Sequence, residues 1–184
     1  MTVAVSIIDR SRGITPRAFD RTDAATKDPV IAAKLTQLRE KAKSRDALGI
    51  LRLALEEFPG KTTIVSSFGS ESVVLLHLIA QIDPTTPILF LNTGKLFGET
   101  LRYRDRVQDE LGLTDIRSIG PHPDDRAQYD PEGTLWSKST DACCNFRKVV
   151  PLRRALEGFS AQITGRKKFQ TNARATMEPV EYFE

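Results

Sequence analysis

From residue 61 onward the chain alternates short β-branched or apolar runs with longer stretches of helical period, and that alternation leaves few folds open to it. "KTTIVSSF" is a strand candidate that runs into "GSESVVLLHLIAQI", whose apolar residues recur at helical spacing. "TPILFLN" follows as a second strand, then the loop "TGKLFG" and the helical "ETLRYRDRVQDELGL". "TDIRSIG" is a third strand and "SAQITG" a final one, separated by the Pro- and Asp-rich loop "PHPDDRAQYDPEGTLW" and by a helix opening at a pair of cysteines. Parallel strands need crossovers of about a dozen residues or more, usually helical. The pattern therefore predicts an α/β fold with a doubly wound, mostly parallel sheet.

Two helices are expected upstream. In "DPVIAAKLTQLREKAK", Asp28 is the predicted N-cap and Pro29 the first helical residue. "SRDALGILRLALEEF" is expected to run from a cap at Ser44 to a stop at Pro59-Gly60, with Leu48, Leu51, Leu55 and Phe58 on one face. Both read as packing elements. Residues 1–27 are mixed and without clear period, so a loose N-terminal arm is expected there and a single domain over 28–184.

Composition removes several classes. With 40% apolar and 28% charged residues, the chain is neither a disordered tail nor a membrane protein. No apolar run approaches the roughly 20 residues that span a bilayer. The start "MTVAVSIIDRSRG" lacks the basic opening and long apolar region of a signal peptide, and a cytoplasmic location is expected. Basic residues number 27 against 24 acidic ones, so bulk nucleic-acid binding is not expected. The clusters "RKVVPLRR" and "GRKKFQTNAR" lie close enough in sequence to converge on one anion.

The loop "VSSFGSES" joins the first strand of the alternating region to its helix. Gly69 can take a positive φ, Ser66, Ser67, Ser70 and Ser72 offer hydroxyls, and the helix presents free N–H groups and the positive end of its dipole. This makes either an anion cradle at the ligand edge of the sheet or an ordinary Ser-capped turn. It matches neither G-x-x-x-x-G-K-[ST] nor G-x-G-x-x-G. Glu71 reads as a dipole partner or capping carboxylate, and His77, among leucines, as a packed histidine; His122 has no clear role. The adjacent Cys143 and Cys144, the only cysteines, are open to three readings: a packed pair, a strained disulfide, or half of a metal site.

Taken in order, "SSFGSES", "LFLNTGKLFGET", "CCNFRKVVPLRRAL" and "ITGRKKFQTNAR" resemble the sulfonucleotide reductases over about residues 61–176. The double cysteine followed by Arg-Lys, Pro and Leu is the most diagnostic of these segments. The resemblance implies an adenine nucleotide α-hydrolase-like (PP-loop) fold. It also implies thioredoxin-dependent reduction of adenosine 5'-phosphosulfate to sulfite and AMP, in assimilatory sulfate reduction leading to cysteine biosynthesis. Members with the cysteine pair carry a [4Fe–4S] cluster, of which Cys143 and Cys144 would be two of four ligands. Carried over by position, Ser66, Ser67, Phe68, Gly69 and Ser70 would surround the nucleotide and its phosphate, and Leu91, Asn92, Thr93 and Gly94 would line the adenosine pocket. Gly165, Arg166, Lys167, Gln170 and Arg174 would form a basic wall facing the phosphosulfate, with Arg147 as a further substrate contact and Lys148 between cluster and substrate. Arg forks suit such oxyanions. The resemblance allows a homo-oligomer.

Two departures from that family pattern stand out. Asn92 replaces an Asp, which removes one carboxylate contact or backbone brace. The family's C-x-x-C pair and its catalytic cysteine, in a terminal E-C-G-L-H segment, are absent from these 184 residues, whose tail reads "RATMEPVEYFE". A C-terminally truncated nucleotide-binding core is therefore expected, lacking the nucleophile, binding nucleotide weakly and turning over nothing alone. The alternatives are a PP-loop ATP pyrophosphatase or adenylyltransferase, and a non-catalytic nucleotide-binding iron–sulfur module.

Overall fold

The β-branched run Thr62–Ser66 forms β2 at the centre of a six-stranded sheet in the computed structural model, which describes residues 3–8, 28–166, 175 and 177–183. In chain order the elements are β1 (Ala4–Ile8), α1 (Pro29–Ala42), α2 (Ala47–Glu57), β2, α3 (Ser72–Ala80), β3 (Ile88–Leu91), α4 (Gly98–Leu111) and β4 (Ile116–Ile119). They continue with α5 (Pro123–Tyr129), α6 (Leu135–Lys138), α7 (Thr140–Cys144), a π-helical turn (Asn145–Val149), α8 (Val150–Leu156), β5 (Ala161–Thr164) and β6 (Val180–Phe183). The sheet order is β4-β3-β2-β5-β1-β6. The four strands from β4 to β5 are mutually parallel; β1 runs antiparallel to β5 and parallel to β6.

Helices cover both faces. Ile64, Ile88, Phe90, Ile163, Val5 and Tyr182 point into a core completed by α1 to α4. On the other face Val65, Leu89, Leu91 and Ile8 meet Leu152 and Leu156 of α8 and Phe159. Alternate residues of each strand thus serve opposite cores, as a doubly wound sheet requires. Among the described residues, no helix is long and apolar enough to cross a membrane.

Local signals account for most boundaries. The Asp28 carboxylate accepts from the N–H groups of Val30 and Ile31, and Pro29 opens α1. For α2 the cap is Asp46 rather than the expected Ser44: its carboxylate accepts from the N–H of Gly49 at 2.8 Å. The Pro- and Asp-rich stretch is not all loop. His122 caps α5 through Nδ1, Pro123 occupies its first turn, and Asp124 and Asp125 face the positive end of the dipole.

Both ends of the chain differ from expectation. Within the supposed loose arm, Ala4–Ile8 form a strand registered with β5 and β6, so the first 27 residues are not wholly outside the domain. Its five residues are all buried, which hides the alternation that marks a half-exposed strand. Nor does "SAQITG" close the sheet, because β6 follows from the tail. Arg39 of α1 donates to the carbonyl of Val180, which occupies part of that edge strand.

Candidate functional site

Because β2 and β5 are neighbours while the chain leaves β2 toward β3, the sheet changes winding direction between them. Loops leaving the carboxyl ends of such strands flank a crevice, where ligands of this architecture sit. The crevice here is a cavity of about 450 Å³ lined by Ser66, Ser67, Gly69, Ser70, Leu91, Gly165 and Arg166, together with Val65, Glu71, Ser72 and Thr164. The loop after β2 and the loop after β5 thus meet, as the sequence led us to expect, although 95 positions separate Ser70 and Gly165 (165 − 70). Lys167, Gln170 and Arg174, expected in the same wall, lie outside the described residues.

The turn in the serine loop is made differently from expectation. Gly69 does not adopt positive φ; Phe68 does, at 54°. Ser66 Oγ accepts from the Phe68 N–H at 3.1 Å and secures that turn. The Phe68 ring points away from the crevice into the core, edge to face with Phe90 at 5.4 Å between centroids. A left-handed non-glycine residue is costly, and such strain concentrates at ligand-holding loops.

A second cavity, of about 350 Å³, is lined by Thr93, Lys95, Trp136, Thr140, Cys143, Cys144, Arg147 and Lys148. The end of β3 and the loop after it serve both: Leu91 faces the serine cavity and Thr93 the cysteine cavity. Within that loop Asn92 Oδ1 accepts from the Gly94 N–H at 3.0 Å. The amide oxygen therefore makes the backbone brace a carboxylate would make, without its charge. Gly94 takes φ 70°, and Gly120 packs so tightly on the Asn92 carbonyl that a Cβ there would overlap it.

Cys143 and Cys144 close α7 as free, half-buried thiols, so the disulfide reading is not realised. Their helix continues directly into the π-helical turn Asn145–Val149, in which the Val150 N–H reaches back to the Asn145 carbonyl. Pro151 supplies the reason. It has no N–H to donate and its ring would press on the carbonyl four residues earlier, which a wider turn relieves.

Arg147, a substrate contact by resemblance, lines the cysteine cavity; its side chain, 5% exposed, is held by Asp130, 2% exposed, and donates from Nη1 to the Thr93 carbonyl at 2.6 Å. The Asp130 carboxylate also accepts from the Leu135 N–H at 2.9 Å. Its hydrogen bond from Arg147 holds the Asp130 carboxyl below the usual carboxylate range, against the opposing effect of burial, with help from Leu135 and the Lys95 charge. Arg147 is thus a brace joining the cysteine helix to the loop after β3. Lys148, one residue on, is exposed at the cysteine cavity, beside Lys95.

Sequence reasoning missed Asp130, Lys95, Trp136 and Thr140. Lys95 stands inside the quoted "TGKLFGET", and its basic charge was the available signal. Asp130 carried none, since its partner lies 17 positions away. His77 is exposed and bonded to Gln81, not packed, and lines neither cavity.

The two thiols reach one cavity with two lysines, so soft donors and balancing cations coincide, and this suits a thiolate-bound metal group. They provide two donors; among the described residues no cluster of three or more Cys, His, Asp or Glu is placed to hold a metal.

Comparison with known proteins agrees with this geometry. The phosphoadenosine phosphosulfate reductase domain matches residues 61–183. The adenosine 5'-phosphosulfate reductase of Mesorhizobium japonicum is 46% identical over 167 residues, covering 90% of this chain and 65% of that protein. The protein of the same name from Shouchella clausii is 36% identical over 150 residues, covering 80% of this chain and 61% of its own. The chain thus spans less than two thirds of the length of these curated relatives. A crystal structure of the Candida auris phosphoadenylyl-sulfate reductase, as a phosphate complex, superposes with a TM-score of 0.64 at 18% identity, covering 89% of this chain and 80% of that one, and so shares the fold. The chain, with its serine crevice between β2 and β5, belongs to the phosphoadenosine phosphosulfate reductase domain family.

Proposed function

We propose that this chain is the nucleotide-binding core of a thioredoxin-dependent adenylyl-sulfate reductase, which converts adenosine 5'-phosphosulfate to sulfite and AMP in the cytoplasm. The observation that carries the reading is the pair of cavities joined by the end of β3 and the loop after it. One offers hydroxyls and an arginine to a phosphate and a sulfonate, and the other holds adjacent thiols with two lysines. The names of the relatives favour the substrate without a 3'-phosphate.

In this reading a cysteine thiolate outside these 184 residues attacks the sulfonate sulfur, forming an S–S bond as the S–O bond to AMP breaks. A thioredoxin thiolate then attacks the cysteine sulfur of that thiosulfonate and expels sulfite, and thioredoxin's second thiol closes its own disulfide. Ser66, Ser67, Ser70 and Arg166 would hold and orient the phosphosulfate, and Arg forks and N–H donors would stabilise the charge gathering on AMP. Cys143 and Cys144 would supply two of the four thiolates of a [4Fe–4S] cluster, whose contribution here would be electrostatic. Lys148 would stand between that group and the substrate.

The test uses the full gene product, purified anaerobically. Sulfite should form from adenosine 5'-phosphosulfate, in amounts equal to AMP, only when reduced thioredoxin is added; without it AMP release should stop after a single turnover. Cys143→Ser with Cys144→Ser should lose iron and the visible absorption of the cluster. Full iron content in that double variant would remove the cluster assignment, and sulfite formation without thioredoxin would remove the proposed reductant.

A further inference from the structure

Across the face of the sheet that carries α8, one row is polar. In register, Gln162 of β5 lies opposite Ser6 of β1, and Ser6 opposite Glu181 of β6. All three are buried, where strands of this kind place Val, Ile or Leu. Thr164 lies two residues along β5 from Gln162 and so shares its face.

Arg166 closes over this row. Its Nε donates to Thr164 Oγ1 at 3.0 Å, and its Nη2 lies 3.3 Å from both Ser6 Oγ and Glu181 Oε2. The second carboxylate oxygen, Oε1, accepts from the Glu178 N–H at 3.3 Å. Glu181 is 3% exposed and Arg166 17%, so the acid sits at the base of the arrangement and the guanidinium reaches from it into the serine cavity. A buried carboxylate is tolerated only when paired, and a polar row here is less stabilising than an apolar one. What it achieves is orientation: acceptors on three strands fix the plane of one guanidinium. An oxyanion site needs such fixation, because an arginine already in place loses little freedom on binding.

We propose that Glu181 is a positioning residue for Arg166, holding it at the crevice between β2 and β5 to receive the anionic group of the nucleotide. This rests on the reading that the crevice binds an adenine nucleotide, and it assigns a role to the edge strand β6. Glu181 does not line the cavity; it acts through Arg166.

The experiment is a double-variant cycle on the full gene product, with AMP and adenosine titrated by calorimetry. Glu181→Gln keeps the shape and removes the charge, and should weaken AMP binding by about three- to tenfold while leaving adenosine unchanged. Added to Arg166→Ala it should cause no further loss, since two residues acting through one contact are not additive. Ser6→Ala, which removes an acceptor of Arg166 Nη2 at a residue that does not line the cavity, should give a smaller loss of the same kind and decides the matter should Glu181→Gln fail to fold. Unchanged AMP affinity, an equal loss for adenosine, or a loss that persists beside Arg166→Ala would overturn the proposal while leaving the nucleotide reading in place. Failure of the unmodified protein to bind AMP would overturn that reading, and this one with it.

Discussion

Arg147 donates to the Thr93 carbonyl at 2.6 Å across 54 positions of sequence. Its other terminal nitrogen pairs with Asp130, so the helix bearing Cys143 and Cys144 is tied to the loop after β3 through a single buried guanidinium. Thr93 of that loop faces the cysteine cavity, and Leu91, at the end of β3, faces the serine cavity. A disturbance on the cysteine side should therefore reach the serine cavity by way of Thr93 and Leu91.

Arg147→Lys should uncouple the two. A lysine ammonium cannot span Asp130 and the Thr93 carbonyl with the geometry of a planar fork, so the melting temperature should fall and AMP affinity should fall with it. The companion variant Asp130→Asn should alter the acid limb of stability. The Asp130 carboxyl is depressed by Arg147, so its contribution is present above its unfolded value of about 3.9 and is lost as pH falls through the lower folded value. Thermal melts from pH 6 to pH 2 should show this slope in the parent and a shallower one in Asp130→Asn.

Phe68 gives a test with an unusual sign. Replacing a buried ring costs about 3–5 kcal/mol, and ordinarily a glycine replacement is worse than an alanine one. Here φ is 54°, where alanine is strained by about 1 kcal/mol or more and glycine is not. Phe68→Ala should therefore be less stable than Phe68→Gly in urea unfolding. The reverse order would mean that the left-handed turn does not persist.

Gly120 leaves no room beside the Asn92 carbonyl. Gly120→Ala should push that carbonyl aside and strain the bond from the Asn92 N–H to Ile119 O, now 2.8 Å. The expected cost is about 1–3 kcal/mol by chemical denaturation. A loss of AMP affinity should accompany it, because Leu91 and Thr93 flank the displaced residue.

Glu57, which lines neither cavity, is held below its ordinary pKa by hydrogen bonds from Lys34 and Lys41. The sign is that of Asp130: this stability is present above about pH 4.3 and is lost as pH falls through the folded value. Both lysines are about a third or more exposed, so the pair interactions are worth about 1 kcal/mol or less together. Glu57→Gln should lower stability by that amount at pH 7 and by nothing near pH 2, with AMP binding unaffected at both.

Much of the fold was legible because its signals are local. Asp28 followed by Pro29 announces α1, and the β-branched run at Thr62–Ser66 announces β2, each within a few residues. The same chemistry stood at His122, Pro123, Asp124 and Asp125, where a Pro-rich appearance masked a helix start. β1 was not legible, since five buried residues show no alternation, and an antiparallel place beside β5 depends on a partner about 155 positions downstream.

What the residues alone decided is the alternation of strand and helix, the caps, and the kinds of chemistry available: a serine loop, two adjacent thiols, clustered arginines and lysines. These follow from side-chain period and backbone preference, which act over a few positions. Which groups meet was decided by the sheet. β5 lies beside β2, so Arg166 faces Ser66 and Ser70; β6 lies beside β1, so Glu181 lies next to Ser6 and within reach of Arg166; and the turn after α5 brings Asp130 to Arg147. Strand order sets such meetings through the joint burial of both faces of the sheet. That is a property of the whole packed chain, and no short stretch of it carries the information.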